Sequence, residues 1–401
     1  MDNYNKELII AAEAGDLETV KTCIANGADV NFMGPNSAAL HCAAFNGHEA
    51  IVQLLLDHKA DSNLVDNQEF TPLQLAVSKQ LESISKLLIA NGADLHVTTT
   101  LDGTLLHLAA AINYSSIFDI PEISSIDIEA RDLDGRTALN VAAAYGSYDM
   151  IKALKKRGAD INTTDDDEMT PLFNALMGLN AKKIASWESS GQNNGVQVRY
   201  VITNGWMRYI KPYHGDEDEL GWDMPDWEQE DISELSWSPS GLKKYLEAIE
   251  VAELLIGYDD IDKDYRDSEG NNAFILACNS GVPEVLEKLA EENYTLDQPN
   301  NQGAYPLHYL ARNKRVDSLR CYFKILPDVN PNLQDANGWT PGHYLADQGG
   351  HPEMARLLIE KGLDLNIAST QQLGALPEGT KAYDVALHWN DEKIAGYLKG
   401  E

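Results

Sequence analysis

Apolar and polar positions alternate along this chain in one order, several times over. The segments SAALHCAAFNGHEAIVQLLLDHKADSN (37–63), FTPLQLAVSKQLESISKLLIANGADLH (70–96) and GRTALNVAAAYGSYDMIKALKKRGADIN (135–162) share it. A short apolar run gives way to a polar break, then to a second apolar stripe at helical spacing, then to a stop containing Gly. In the second segment Thr71-Pro72 predicts a helix start, because Thr can cap and Pro tolerates the first helical position. Leu73 and Ala76 then face inward. Ser83–Ala90 predicts a second helix with Ile84, Leu87 and Leu88 on one face, and Asn91-Gly92 ends it, since Gly accepts a left-handed conformation. One such pair cannot bury its apolar face alone, so neighbouring pairs are expected to stack. Leu55 and Leu88 are candidate core residues between stacked units.

The order has a fixed period. The residue after the "PL" or "AL" pair falls at His41, Gln74, His107, Asn140 and Phe173, each step being 33 residues. It resumes at Ile275 and His308, again 33 apart, and continues near His343 and Asp384. These units resemble the ankyrin repeat. Its T-P-L-H-x-A signature stands here as TPLQLA from Thr71, TPLFNA from Thr170, YPLHYLA from Tyr305 and TPGHYLA before and including Ala346. Its closing motif stands as GADVN from Gly27, GADLH from Gly92, GADIN from Gly158 and GLDLN from Gly362. About ten units, some degenerate, cover roughly four-fifths of the chain. The resemblance implies an all-α solenoid of stacked helix pairs, with linkers such as LDGR (133–136) projecting as fingers beside a concave face of inner helices. It also implies protein binding, with no general catalytic activity attached to the fold.

The outer units read as caps: Glu13, Asp16 and Glu18 surround the first apolar stripe, and Asp384, Asp391, Glu392 and Lys393 the last, near Ala382–Leu398. Two units depart from the pattern. In the fourth, SSIFDIPEISSIDI replaces the second helix, and Pro121 limits any helix there to about a turn. The eighth carries ILPDVNPN, with Pro327 and Pro331 and two extra residues before the next unit.

The largest departure is an insertion. Phe173 to Ile275 spans 102 residues where one repeat needs 33, so the sixth unit carries 69 more. Its first helix starts at Thr170-Pro171 and its second is best matched by Leu242–Asp260, after a start at Ser238-Pro239. The expected organisation is therefore N-terminal repeats over 1–177, an insertion over 178–241, and C-terminal repeats with a cap over 242–401. Within the insertion, VQVRYVITNGWMRYIKPY (196–213) predicts a β-hairpin turning at Asn204-Gly205, with Val196, Val198, Tyr200 and Ile202 alternating on one face.

Charge changes the picture. The 401 residues are 43% hydrophobic, enough for a core, yet the net charge is -32. Such a surface repels nucleic acid and anionic membranes, which are held through Lys and Arg, and attracts basic proteins. No basic region or sustained apolar run opens MDNYNKELIIAAEAGD, so no secretory signal is expected, and no apolar run is long enough to predict a membrane span. The four cysteines, Cys23, Cys42, Cys278 and Cys321, are far apart and fall on apolar stripes, as buried free thiols in a reducing cytoplasm would.

No nucleophile, metal or nucleotide motif stands out. His41, His107, His308 and His343 are the repeat's own signature positions, each a unit or more apart. RDLDG (131–135) lacks the later ligands of a calcium loop and reads as a finger, as does DDDE (165–168). No cofactor is expected. The exception to this blandness is DEDELGWDMPDWEQEDISELSW, 216–237, where ten of the first nineteen residues are acidic. A solvated loop is one reading, and pairing with Arg199, Arg208 and Lys211 is another. The reading we favour is a partner-binding surface: Asp216, Glu217, Asp218, Glu219, Asp223, Asp226, Glu228, Glu230 and Asp231 steer a basic protein, and Trp222, Trp227 and Trp237 anchor it. Leu133 and Trp339, on repeat fingers, are further candidate contacts. The function expected is a non-catalytic, monomeric, cytoplasmic inhibitor or immunity-type protein for a basic toxin or enzyme. A scaffold or secreted effector is the alternative, and an enzyme with its site in the insertion a weaker one.

Overall fold

A computed structural model describes residues 2–99, 101–188, 199–203, 206–210, 239–312, 316–347, 351–372 and 374–399. The chain forms two compact bodies, 1–171 and 172–401. The first contains α1 (Asp2–Ala14), α2 (Leu17–Ala25), α3 (Ala39–Asn46), α4 (Glu49–Asp57), α5 (Pro72–Ser78), α6 (Glu82–Ala90), α7 (Leu105–Ala111), α8 (Ala138–Tyr145) and α9 (Tyr148–Lys156). Helices α1, α3, α5, α7 and α8 pack in sequence as an inner row, and α2, α4 and α6 stack as an outer row. The second body contains α10 (Pro171–Glu188, which opens one residue before the boundary), α11 (Pro239–Ile256), α12 (Ala273–Ser280), α13 (Pro283–Glu291), α14 (Pro306–Arg312), α15 (Val316–Ile325), α16 (Pro341–Asp347), α17 (Pro352–Glu360), α18 (Ala382–His388) and α19 (Glu392–Lys399). Its inner row is α12, α14, α16 and α18, and its outer row is α11, α13, α15, α17 and α19.

Each pair forms for the reasons its sequence gives. Thr71 caps α5 by accepting the N–H of Gln74, Gln74 answers by accepting the N–H of Thr71, and Pro72 follows at the first helical position. Helix α6 buries Ile84 and Leu88 and half-buries Leu87. Leu55 and Leu88 are both fully buried. The closing Asn of several units has a task that its sequence does not announce. Asn63 accepts the N–H of Asp94 at 2.7 Å and donates to the carbonyl of Gly92 at 2.9 Å, fastening its unit to the next. Asn332 does the same with Asp364 and Gly362.

Where Pro121 was expected to limit a helix to about a turn, two 3₁₀ turns stand, Ser115–Asp119 and Pro121–Ser125. Ile117, Ile120, Ile123 and Ile126 are all buried. Ile117 and Ile123 sit within the two turns, and Ile120 and Ile126, in extended backbone, end them, so the segment buries an isoleucine every three residues without a continuous helix. Helix α15 runs to Ile325, and Pro327 follows two residues beyond its end.

Helix enters the inserted segment from both sides, since α10 runs on to Glu188 and α11 starts at Pro239. Strands β1 (Arg199–Thr203) and β2 (Trp206–Ile210) pair antiparallel, with Arg199 opposite Ile210 and Thr203 opposite Trp206. The Asn204-Gly205 turn lies outside the described residues. Cys23, Cys278 and Cys321 are buried and Cys42 half-buried, all as free thiols. Burial pushes the Cys321 thiol up to about 11, away from the reactive thiolate.

Candidate protein-binding face: the repeat fingers

The twelve acidic and tryptophan candidates Asp216–Asp231 and Trp237 lie outside the described residues. The finger candidates do not, and the fingers are built by one local rule. An Asp or Asn at the start of most tips, and Thr99 on the 97–104 finger, turns the chain by accepting backbone N–H groups with its side chain. Asp66 takes those of Gln68 and Phe70 at 2.8 and 2.9 Å, and Asp132 those of Asp134 and Arg136 at 3.0 and 2.9 Å. Asp165 takes those of Asp167 and Met169 at 3.1 and 2.8 Å, and Asp335 those of Asn337 and Trp339 at 2.9 and 2.8 Å. The carboxylates of Asp132 in RDLDG and Asp165 in DDDE are thus engaged in folding their own fingers.

Neighbouring tips are joined by single backbone bonds. Leu133 N–H donates to the carbonyl of Leu101 at 2.9 Å, and Asp166 N–H to that of Asp134 at 3.0 Å. In the second body Ala336 N–H donates to Gln302 at 2.8 Å and Thr370 N–H to Asn337 at 2.9 Å. The approach is close enough that Gly135, at φ 71°, has no room for a side chain: a Cβ there would run into Asp166 of the next finger.

The signature histidines latch finger to helix. His308 Nδ1 accepts the N–H of Tyr305 at 3.0 Å, and Nε2 lies 3.0 Å from the carbonyl of Trp339 in the following unit. His41, His107 and His343 repeat this, with Nε2 on the carbonyls of Leu64, Arg136 and Thr380 at 2.9, 2.9 and 3.1 Å. An Nδ1 that accepts is unprotonated, so Nε2 carries the proton and donates it. Burial holds all four imidazoles below the usual histidine range. Gln74 and Asn140 supply the same acceptor and donor: Gln74 accepts from Thr71 N–H and donates to Thr98, while Asn140 accepts from Thr137 N–H and donates to Met169. The histidines are therefore structural, as their spacing suggested.

Leu133 is 57% exposed and available to a partner. Trp339 differs from its expectation. It is only 5% exposed, stacked on His343 at 5.7 Å and edge-on to Tyr344 at 5.9 Å. It stands at the base of its finger, just before the helix that Thr340 opens, and packs beneath the finger instead of displaying itself. Two exposed groups were not singled out from the sequence. Leu101 is 54% exposed on the finger beside Leu133, and its signal was the repeated Leu-Asp-Gly of 101–103 and 133–135. Trp389, just past α18, is also exposed and donates its indole N–H to Asp347 at 3.2 Å.

Helix pairs in two rows, Asp-closed fingers and an imidazole latch at a 33-residue spacing define the repeat. The family model described as Ankyrin repeats (3 copies) matches residues 8–99 and 106–187, and that described as Ankyrin repeat matches 337–370, together just over half of the chain. The chain belongs to the ankyrin repeat family. Among similar proteins, a putative ankyrin repeat protein of Rickettsia bellii is 30% identical over 122 residues, 30% of this chain and 36% of that protein. Rabankyrin-5 of Mus musculus is 30% identical over 119 residues, 29% of this chain and 10% of its own length. The human transient receptor potential cation channel subfamily A member 1 is 25% identical over 213 residues, 51% of this chain and 16% of its own length. This chain thus spans little more than a third of these relatives at most, and the likeness is one of ankyrin repeats. Ankyrin arrays are protein-interaction modules and generally non-catalytic. Among the described residues, no helix is long and apolar enough to cross a membrane.

Proposed function

We propose that this ankyrin-repeat protein is a non-catalytic binder of a basic protein, acting in the cytoplasm as an inhibitor of the immunity type against a basic toxin or enzyme. Charge carries the reading. The net charge is -32, and the fingers of residues 64–70, 97–104, 130–137 and 163–170 hold nine carboxylates against two arginines. Both arginines are engaged within the fold: Arg131 donates to the carbonyls of Gly135 and Thr164, and Arg136 pairs with Asp132 and Asp134. Like charge gathered at this density repels itself, and a cationic partner relieves that repulsion. In this reading the acidic tryptophan-bearing segment 216–237 is a second docking element, with carboxylates setting the association rate and Trp222 and Trp227 the dissociation rate.

The test begins with a basic enzyme or toxin recovered on the immobilised chain. It should lose activity on stoichiometric addition of the protein, and association should slow steeply with salt. A partner that keeps its activity in the complex would replace inhibition with a scaffolding or recruiting role. Neutralising Asp216, Glu217, Asp218 and Glu219 should slow association and flatten its salt dependence. Trp222→Ala with Trp227→Ala should speed dissociation, by about 2 kcal/mol or more if both are anchors. Unchanged kinetics in both variants would remove segment 216–237 from the docking surface.

A further inference from the structure

One seam in the second body departs from the clamp that joins closing turns elsewhere. In that clamp the closing side chain of one unit accepts a backbone N–H of the next: Asn31 takes that of Asp61 at 2.7 Å, Glu129 that of Asp160 at 2.8 Å and Asn332 that of Asp364 at 2.6 Å. Asp297 holds this place between the pairs α12–α13 and α14–α15. The next closing residue, Asn332, follows it by 35 residues where the period is 33, because ILPDVNPN carries two more. Among the described residues no backbone N–H reaches the Asp297 side chain. Its Oδ1 accepts instead from the hydroxyl of Tyr322, on α15, at 3.2 Å. Asp264, at the seam before, also lacks the Asn. It is exposed, however, and accepts from the Thr295 hydroxyl at 2.9 Å, beside a Lys263 that donates to the carbonyl of Glu292 at 2.6 Å. Asp297 is half-buried, and the titratable groups that face it are Tyr322 and, from α12, the thiol of Cys278. Tyr322 is fully buried and stacks on Phe274, one helical turn from Cys278, at 6.1 Å.

We propose that this seam is a proton-controlled hinge within the second body: the ionised Asp297 carboxylate lets α15 lift from α12, and protonation of Asp297 closes the seam. The chemistry of the side chain gives the reason. Asn63 both accepts an N–H and donates to the carbonyl of Gly92, whereas an ionised carboxylate only accepts. A negative charge held at the edge of an apolar stack, with one hydroxyl for a partner, favours the open form in which water reaches it. Burial accordingly raises the Asp297 carboxyl above its ordinary value, and the Tyr322 bond offsets only part of the rise. The closed seam therefore binds the proton more tightly than the open one. Its stability from this group is present at low pH and is lost as pH climbs through the raised value. The direction is opposite to that of the signature histidines, which burial holds unprotonated.

Cys278 supplies the readout. Its thiol is fully buried on the helix face that Tyr322 covers, so a thiol reagent reaches it when the seam opens. Cys23, buried in the first body, reports on opening elsewhere. The full-length chain is treated with a dipyridyl disulfide, and labelling at each cysteine is followed by peptide mass spectrometry. At about pH 7.5, Asp297→Asn should slow labelling of Cys278 about tenfold and leave that of Cys23 unchanged. Dividing the rates of the two chains at each pH cancels the pH dependence of the reagent, and the ratio should shrink toward one as pH falls to about 5. Tyr322→Phe keeps the ring on Phe274 and removes the hydroxyl. It should speed labelling of Cys278 in the unaltered chain, and do so less in the Asp297→Asn chain. Equal rates at Cys278 in the two chains, equal slowing at Cys23, or a ratio that does not change with pH overturns the proposal.

Discussion

One position in each repeat shows how little the chemistry of a residue says until its neighbours are known. His41, His107, His308 and His343 share their place with Gln74 and Asn140, and what these six have in common is one acceptor facing the helix start and one donor facing the next finger. Protonating an imidazole at this site would set its new Nδ1–H against the backbone N–H it accepts. The folded pKa values are depressed, so the unfolded chain binds more protons wherever pH falls below the ordinary histidine value of 6.5. Stability from these latches is present above that value and is lost as pH drops through it toward the folded pKa. The melting midpoint should fall between about pH 7.5 and about pH 5.5, and His308→Gln with His343→Gln should shrink the fall, since Gln74 already makes the same bonds without titrating. Comparing the two chains across the same pH range cancels the contribution of the carboxylates. An identical pH dependence in both would mean the latches do not report on stability.

At the level of the element, the helix pairs were legible because apolar spacing, capping and stop signals agree within each unit. Leu55 lies on α4 and Leu88 on α6, both fully buried in the outer row of the first body. Leu55→Ala or Leu88→Ala should each cost about 2–5 kcal/mol in chemical denaturation, the range for a leucine removed from a packed interior. A loss under about 0.5 kcal/mol would place either residue on the surface. The 3₁₀ segment was legible only in part. Pro121 limited any helix there to about a turn, while the burial of Ile117, Ile120, Ile123 and Ile126 emerges only from packing against the rest of the body. Trp339 shows the opposite difficulty. An aromatic on a finger looks like a displayed contact, and only its neighbours His343 and Tyr344 reveal that it is packed underneath.

For the molecule as a whole, a net charge of -32 is a standing repulsion that the fold carries. Salt screens that repulsion, so the melting midpoint should rise as sodium chloride goes from about 10 mM to about 150 mM, across which the Debye length drops from about 30 Å to about 8 Å. A midpoint that falls instead would mean that surface pairs such as Arg136 with Asp134, or Lys324 with Glu287, stabilise the fold by more than the net charge destabilises it. Surface pairs of this kind are individually weak, which favours the rise.

By itself the sequence determined the repeat, its period, the helix pairs within each unit and the excess of negative charge. Those follow from local rules: spacing, capping, backbone freedom and composition act within a few residues. Tertiary structure alone decided which side chains on a finger are spent and which are displayed. Asp132 and Asp165 look like available carboxylates until they are seen closing their own turns, and Trp339 looks available until its finger folds over it. Leu101 and Leu133 are 32 residues apart in sequence and become a pair because one backbone hydrogen bond joins their fingers. Burial and adjacency between units depend on contacts between residues far apart in the chain, and no local pattern encodes them.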